Sequence, residues 1–383
     1  MCDCDDCRKR NDCNNNNDCC QCDRCVGRNR CTNNDSCKCD RCRDHNRCDC
    51  LECSGNGIIK KFNHPGNILI SDQFNNRVIE TNSRGEIVWS YGLGPSDFTP
   101  NSIIAVNDAE RIRNKTLMVG TGTPTNIDNR VILVNKHGQI IWQYGQFGLS
   151  GTGFDLLDVP VQATFVPFKK CKKSGGILDG TILITDQANN RIIEVNEAKQ
   201  IIRTYTAGGT LSSPNSAQKL CNKNILIADE GNNRAIEVNK LDQIIATYTA
   251  NGTLGACAFA SRLCNGNTLL TDAGNNRIVE VNVADHIIWQ YITNADPLSI
   301  PAPSPSRGLR LKNGNTIISD QFNNRVIIIN QTATILDYYG LPLVGGPGPI
   351  GTNFGYDLNT TQLGLYSPYD AKVIGDYTGL TKP

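Results

Sequence analysis

Short runs of branched aliphatic residues alternate with clusters of Asn, Asp, Gly and Lys through residues 58–380. The order within residues 213–248 is SAQKL, CNKN, ILIAD, EGNN, RAIEVN, KLDQ and IIATY. Runs of about five residues rich in β-branched and aromatic side chains, bounded by turn residues, indicate strands rather than helices. This segment therefore predicts four strands joined by three turns.

The turn between the second and third predicted strands recurs six times. It reads DQFNNRVI at 72–79 and at 320–327, DQANNRII at 186, DEGNNRAI at 229, DAGNNRIV at 272 and, in degenerate form, NIDNRVIL at 126. The arginines of successive copies are 53, 61, 43, 43 and 48 residues apart. A unit of about 40 to 45 residues with four strands has the length of a propeller blade. The sequence predicts an all-β fold, a six-bladed β-propeller of four-stranded blades.

The stretches DQFNNRVIE and DQANNRIIEVN resemble NHL repeats. The resemblance covers residues 58–380 and implies the six-bladed propeller fold of that family. It does not imply one function, because propellers of this kind serve as enzymes, binding platforms and interaction modules.

The paired Asn suits a tight turn, since Asn tolerates the left-handed conformation. We expect each Arg to reach the Asp of an adjacent blade, and the alternative is a set of six identical binding sites. The second repeat has Thr121 where the others have Asp, which puts one pair in doubt. The predicted inter-blade residues are Asp72, Arg77, Asp186, Arg191, Asp229, Arg234, Asp272, Arg277, Asp320 and Arg325.

The end of the chain predicts how the ring closes. SPYDAKVIG at 367–375 matches SPNSAQKLC at 213–221, so it is a further first strand. We expect it to pair with NILIS at 67–71 and complete the first blade. In the alternative, GIIKKF at 57–62 supplies that strand, and the C-terminal strand is free to add to a neighbouring molecule.

Histidine is scarce in this sequence. The resemblance implies that lyases of this kind hold a metal through histidines near the central channel, and this chain has four histidines, of which only His64 is predicted near the axis. Asp97, Asp155 and Asp158 are interpreted as turn residues of the long loops. We therefore expect no catalytic residues and no enzymatic activity.

Cysteine is concentrated at the N-terminus, where 15 of the 19 cysteines precede residue 54. Apart from cysteine, this segment has only Met1, Val26 and Leu51 as sizeable apolar side chains, so it cannot form a hydrophobic core. The predicted domains are a Cys-rich segment at 1–53 and a propeller at 54–383. The cysteines of the segment are Cys2, Cys4, Cys7, Cys13, Cys19, Cys20, Cys22, Cys25, Cys31, Cys37, Cys39, Cys42, Cys48, Cys50 and Cys53.

Two chemistries fit these cysteines. Four C-x-x-C pairs match tetrahedral zinc sites, and the interleaved C-x-C spacing is loosely metallothionein-like. Disulfides are the other option; an odd number of cysteines then implies a bond to another molecule or to the propeller. The possible propeller partners are Cys171, Cys221, Cys257 and Cys264. If the cysteines form disulfides, we expect no cofactor. If they bind metal, we expect zinc or another thiophilic metal.

Charge and hydropathy argue against two classes of partner, nucleic acids and membranes. A net charge of +1 gives no reason to expect nucleic acid, and no apolar run is long enough for membrane insertion. The first residues have no apolar stretch, so we expect no secretory signal there.

The resulting hypothesis is a structural or assembly protein whose partner is itself, crosslinked by intermolecular disulfides into a fibre, coat or surface layer. The Cys-rich segment resembles those of spore-surface proteins in composition, which favours a cell or spore surface or an extracellular location. One alternative is a cytoplasmic thiolate metal-binding protein. The other is a propeller that binds a ligand or glycan through the inserts at 93–103, 145–161 and 340–366.

Overall fold

The computed structural model describes residues 61–168, 176–340 and 364–381. The expectations for the Cys-rich segment and for Cys171 lie outside these residues. Within them the chain forms six antiparallel sheets of four strands each, which we call blades 1 to 6 in chain order. The predicted six-bladed, all-β propeller is confirmed.

The strands of the first three blades follow the predicted runs. Blade 1 contains β1 (Ile68–Asp72), β2 (Arg77–Thr81) and β3 (Ile87–Tyr91). Blade 2 contains β4 (Val106–Ile112), β5 (Lys115–Gly122), β6 (Ile127–Asn135) and β7 (Ile140–Tyr144). Blade 3 contains β8 (Pro160–Pro167), β9 (Gly180–Asp186), β10 (Arg191–Val195) and β11 (Ile201–Tyr205).

The remaining strands repeat the arrangement. Blade 4 contains β12 (Pro214–Lys219), β13 (Ile225–Asp229), β14 (Arg234–Val238) and β15 (Ile244–Tyr248). Blade 5 contains β16 (Cys257–Arg262), β17 (Thr268–Asp272), β18 (Arg277–Val281) and β19 (Ile287–Ile292). Blade 6 contains β20 (Arg307–Arg310), β21 (Thr316–Asp320), β22 (Arg325–Ile329) and β23 (Ile335–Tyr339), and the last strand is β24 (Pro368–Val373).

The last strand closes the ring. β24 pairs antiparallel with β1, with Ile68 opposite Val373 and Ile70 opposite Ala371. It therefore supplies the first strand of blade 1, whose other three strands come from the start of the propeller. The predicted closure is confirmed, because β24 occupies the edge of β1 that the alternative gave to residues 57–62.

The core lies between neighbouring blades. The tyrosine at the end of each fourth strand is buried; Tyr91, for example, packs with Leu69 of its own blade and with Val106 and Met118 of blade 2. The tryptophans of three fourth strands donate to a carbonyl of the next blade, from Trp89 to Lys136, from Trp142 to Glu197 and from Trp289 to Gln331. These aromatic residues therefore join neighbouring blades.

The NN motif forms a tight turn. Four of the turns contain a short 3-10 segment, at Gln73–Asn75, Glu230–Asn232, Ala273–Asn275 and Gln321–Asn323; a fifth such segment, Thr293–Ala295, lies in a loop. The second Asn is left-handed in every copy, with φ between 49° and 54°, at Asn76, Asn129, Asn190, Asn233, Asn276 and Asn324. The expected left-handed turn is confirmed.

This left-handed Asn also connects adjacent blades. Its Oδ1 accepts a backbone N–H from the loop that leads into the next blade, at 2.7 Å from Ser213 to Asn190 and at 2.8 Å from Ser367 to Asn324. The same bond joins Ala105 to Asn76, Val159 to Asn129 and Ser304 to Asn276. Among the described residues Asn233 is the copy that makes no such bond, at the boundary of blades 4 and 5.

Asn190 and Asn233 form a matched pair for measuring this contact. Both are exposed and left-handed, with φ of 50° and 53°, but only Asn190 accepts an inter-blade hydrogen bond. We expect Asn190→Ala to lower the free energy of unfolding by about 1 kcal/mol more than Asn233→Ala, because the backbone strain is the same in both. Urea denaturation of the two variants measures the difference; equal losses would contradict an inter-blade role for Asn190.

Candidate functional site

The Asp and the Arg that recur in the motif form an ion pair with each other inside one blade. Each Arg lies directly opposite its Asp across the turn, and Nε to Oδ2 distances are 2.7 Å for Arg77–Asp72 and 2.6 Å for Arg191–Asp186. The other pairs are Arg234–Asp229, Arg277–Asp272 and Arg325–Asp320, each at 2.7 Å. The expected pairing with an adjacent blade is therefore wrong. The Asp and the Arg lie at the two ends of one hairpin turn, and their side chains therefore face each other.

The Asp does have a second contact, with the loop that leads into its own blade. Its Oδ1 accepts the backbone N–H of Tyr366 in blade 1, and Asp186, Asp229 and Asp272 accept that of Asp158, Ser212 and Gly255. In blades 1, 3 and 4 the next amide along that loop is the one bound by the Asn of the preceding blade. Consecutive amides of one loop are thus divided between two blades.

Blade 6 shows what this arrangement requires. Ser304 donates to Asn276 of blade 5, but the residue before it is Pro303, which has no N–H. Asp320 Oδ1, buried in the same turn, has no hydrogen-bond partner among the described atoms. A proline at this position therefore removes the bond that fixes the loop to its own blade.

Blade 2 also has the ion pair, but its carboxylate comes from a different position of the motif. The strand register places Gly120, not Thr121, opposite Arg130, where the other blades have Asp. The carboxylate comes instead from Asp128, at the position of the first Asn of the motif; it binds Arg130 and accepts the N–H of Ile104. A Cβ at Gly120 would lie 2.1 Å from Asp128 Oδ2, so the glycine makes room for this carboxylate. The pair that Thr121 put in doubt is present.

A double substitution tests this exchange. Gly120→Asp alone should lower the free energy of unfolding by roughly 3 kcal/mol or more, because two buried carboxylates would compete for Arg130. Combining it with Asp128→Asn recreates the pattern of the other blades and should return stability to within about 1 kcal/mol of the wild type. Thermal and urea unfolding of both single variants and the double variant complete the cycle. Additive losses would show that the two positions do not exchange roles.

The inner strands surround the axis of the propeller with one equivalent position from each blade. Four of these side chains accept the amide N–H of the next blade's inner strand: Asp370 from Ala109 at 3.5 Å, Asp108 from Ala163 at 3.1 Å, Gln162 from Ala217 at 2.6 Å and Ser216 from Ala260 at 3.2 Å. The six residues at this position are Asp370, Asp108, Gln162, Ser216, Phe259 and Arg307. They hold neighbouring blades together at the axis.

Two cations neutralise the carboxylates of this axial set. Lys372 Nζ contacts Asp370 and lies 2.6 Å from Asp108 Oδ1. Arg307 is 1% exposed, lies between the rings of Phe259 and Tyr369, and has its Nε 3.8 Å from Asp370 Oδ1. The axial set of the described structure therefore combines buried ion pairs with the neutral side chains of Gln162, Ser216 and Phe259.

Polar side chains continue this set at the end of the axis where the 3-10 turns lie, which we call the mouth. Gln73 Nε2 donates to Asn107 Oδ1 at 2.6 Å, and Gln321 Nε2 donates to Gln73 Oε1 at 3.0 Å. On the other side Asn215 Nδ2 donates to Glu230 Oε2 at 2.8 Å and to the hydroxyl of Tyr369 at 2.9 Å. Sequence analysis missed these residues, although the position after each motif Asp reads Gln, Gln, Glu, Ala and Gln in five blades.

Burial also alters one acidic group near the axis. Glu110 is 5% exposed, and its Oε2 accepts the N–H of Phe165 at 2.8 Å. Burial raises the pKa of Glu110 to about 8, a shift that the attraction of Lys372 and the hydrogen bond oppose and the charges of Asp108 and Asp370 reinforce. The folded protein therefore holds a proton on Glu110 at neutral pH.

This proton makes stability depend on pH. In the unfolded chain Glu110 ionises near its ordinary pKa of 4.5, whereas in the folded protein it ionises near 8. The free energy of unfolding should therefore fall as pH rises from about 5 to 8, by on the order of 3 kcal/mol. Glu110→Gln should gain stability relative to wild type over that interval. Melting temperatures from pH 5 to 9 measure it, with Asp97→Asn as the comparison, and parallel profiles for wild type and Glu110→Gln would contradict the buried proton.

The described cysteines differ in state. Cys221 and Cys264 are disulfide-bonded, whereas Cys257 is buried with a free thiol whose pKa burial raises well above its usual range. Cys221 and Cys264 are exposed and occupy the same position of the turn between first and second strands in blades 4 and 5. These turns lie at the end of the inner strands opposite the mouth.

Two kinds of site are absent from the described residues, a metal cluster and a membrane-spanning helix. Within 61–168, 176–340 and 364–381, no group of three or more His, Cys, Asp or Glu side chains could hold a metal ion. No helix in this part of the chain is long and apolar enough to cross a membrane. His64 lies in the turn that precedes β1, where its carbonyl accepts the N–H of Asn67.

Solved structures share the propeller architecture at low identity. A streptogramin B lyase is 15% identical over 72% of this chain and 80% of its own, with a TM-score of 0.48. The virginiamycin B lyase from Staphylococcus aureus is 14% identical over 74% and 87%, with a TM-score of 0.46. A nidogen/laminin complex gives 13% over 71% and 92%, with a TM-score of 0.47. No protein-family model and no curated protein matches the chain, so the NHL assignment remains a prediction.

These likenesses correct one expectation. The expectation that the chain is not an enzyme is wrong as an inference from its fold and scarce histidines, because lyases are among the propellers with this architecture. At such low identity the likeness shows the fold alone and assigns no reaction to this chain. What is shown for this chain is a six-bladed β-propeller.

Proposed function

We propose that this protein is a covalently crosslinked structural subunit, in which a rigid propeller is joined to further copies of itself in a fibre, coat or surface layer. The observation that carries the proposal is that Cys221 and Cys264 are both disulfide-bonded and both exposed. Cys257, by contrast, is a buried free thiol.

The placement of the two cysteines supports a crosslinking role. They are 43 residues apart, one repeat, and each follows a leucine in a turn closed by the same backbone bonds, Leu220 N to Asn224 O and Leu263 N to Asn267 O. Two equivalent anchors on adjacent blades fix the orientation of whatever they bind, which a single bond would not do. The turns are not part of the mouth, so crosslinking there leaves the mouth accessible.

The number of cysteines supports bonds that extend beyond the Cys-rich segment. Its 15 cysteines cannot all pair with one another, so full oxidation requires at least one bond to the propeller or to another molecule. We propose the propeller cysteines and a second copy as these partners, and a cell or spore surface as the oxidising location.

The rigidity of the propeller suits a building block. Its two ends share blade 1, and neighbouring blades are joined by side-chain bonds at the turns and at the axis. A subunit of this kind transmits load between its crosslinks with little deformation, because the ring cannot open without breaking the β1–β24 pairing.

Reductant and cysteine variants test the proposal. We expect oxidised protein to run as covalent multimers on denaturing gels and to collapse to monomer with reductant, with no bound metal by elemental analysis. Cys221→Ser combined with Cys264→Ser should lower the multimer fraction by several-fold, while Cys257→Ala, the matched control at a free thiol, should leave it unchanged. Peptide mapping of the disulfides identifies the bonded pairs.

Two results would contradict the proposal. One is a chain that stays monomeric without reductant. The other is a metal-loaded monomer, which would favour the thiolate metal-binding alternative.

A further inference from the structure

The two identical octapeptides lie in neighbouring blades, on either side of the segment that closes the ring. Blade 1 carries DQFNNRVI at 72–79 and blade 6 carries it at 320–327. Ser367, between these blades, donates its N–H to Asn324 of blade 6 and its hydroxyl to Gln73 of blade 1. The repeated residues are therefore brought together at one place on the mouth.

Aromatic side chains are exposed at this place. Phe74 and Phe322 occupy the third position of the two octapeptides and are 37% and 39% exposed, and the ring of Tyr366 lies 5.3 Å from that of Phe74 at a steep angle. The corresponding residues of blades 3, 4 and 5 are Ala188, Gly231 and Gly274. At this position of the motif, among the described residues, an aromatic side chain is thus present in the two blades with the identical octapeptide.

Beside the rings lies a group of amides with unused hydrogen-bonding capacity. Gln73 Oε1 accepts from Gln321 Nε2 at 3.0 Å and from the hydroxyl of Ser367 at 3.1 Å. Gln321 Oε1 and Asn107 Nδ2 make no hydrogen bond within the described residues. Neither atom is among the fully buried polar atoms that lack a partner. One free acceptor and one free donor therefore remain at the mouth.

The side chains of this group carry no charge. The carboxylates of the same two motifs, Asp72 and Asp320, are fully buried and bound to Arg77 and Arg325. A charged ligand would lose hydration here without gaining an opposite charge. The chemistry favours a neutral ligand with an apolar face and many hydroxyls.

We propose that this part of the mouth binds a neutral saccharide. The C–H face of a pyranose ring packs on Phe74 or Phe322, while its hydroxyls donate to Gln321 Oε1 and accept from Asn107 Nδ2. Both phenylalanines stand at equivalent positions of adjacent blades, so each offers a ring on which a sugar residue can stack. The inference does not depend on the crosslinking role, which uses the opposite end of the inner strands.

Titration of the full-length chain with four probes tests the site: cellotetraose, chitotetraose, maltotetraose and mannotetraose, each to about 10 mM by saturation-transfer NMR and calorimetry. We expect at least one to bind. Phe74→Ala and Phe322→Ala should each weaken that binding by about tenfold, the loss of one stacking contact. Gln321→Met should weaken it while leaving the stacking surface in place.

Phe154→Ala is the matched control, because Phe154 is a 71% exposed aromatic residue in the loop between blades 2 and 3. Unchanged melting temperatures confirm that the variants fold. Failure of all four probes to bind the wild type would overturn the proposal, as would binding that Phe74→Ala and Phe322→Ala leave unaltered. Neither result bears on the disulfide multimers, so the two proposals fail separately.

Discussion

The ring depends on one arrangement of hydrogen bonds: two consecutive backbone N–H groups of a connecting loop donate to side chains of two different blades. At the closure, Tyr366 donates its N–H to Asp72 of blade 1, and Ser367 donates the next N–H to Asn324 of blade 6. The same division occurs at Asp158 and Val159 and at Ser212 and Ser213. The Asp and the Asn belong to the same motif, so a copy that makes both bonds fixes the loop of its own blade and the start of the next. Among the described residues, Asn233 lacks the second bond and Asp320 lacks the first.

This division explains why the motif is written so uniformly. The Asp needs an Arg to neutralise it once it is buried, and the register of the hairpin places that Arg directly opposite. The second Asn must be left-handed to complete the turn, and the turn points its amide oxygen at the neighbouring loop. One motif therefore satisfies the turn, a buried charge and the blade boundary together, and a change at any position affects two blades.

Much of the fold could be predicted from the sequence, because the repeated residues are typical of strands and tight turns. The four strands predicted within residues 213–248 are present as β12 to β15, and the match of 367–375 to 213–221 located the closing strand. The partner of the Arg was mispredicted because blade adjacency was considered before hairpin register. The role of Gly120 could not be read from the repeat, since the carboxylate that replaces the missing one arrives from Asp128 on the opposite strand.

The axis and mouth were harder to predict, because the inner strands share little sequence between blades. Their equivalent residues are as different as Asp108, Phe259 and Arg307, and each is explained only by what lies across the axis. Charges are buried where blades face one another, whereas the group between blades 1 and 6 carries amides and aromatic rings. The exposed rings of Phe74 and Phe322 do not contribute to the turn that their motif forms, since Ala188 and Gly231 fill the same position. Phe74 packs on Tyr366 at the closure, and the exposed surface of both rings is available for ligand contact.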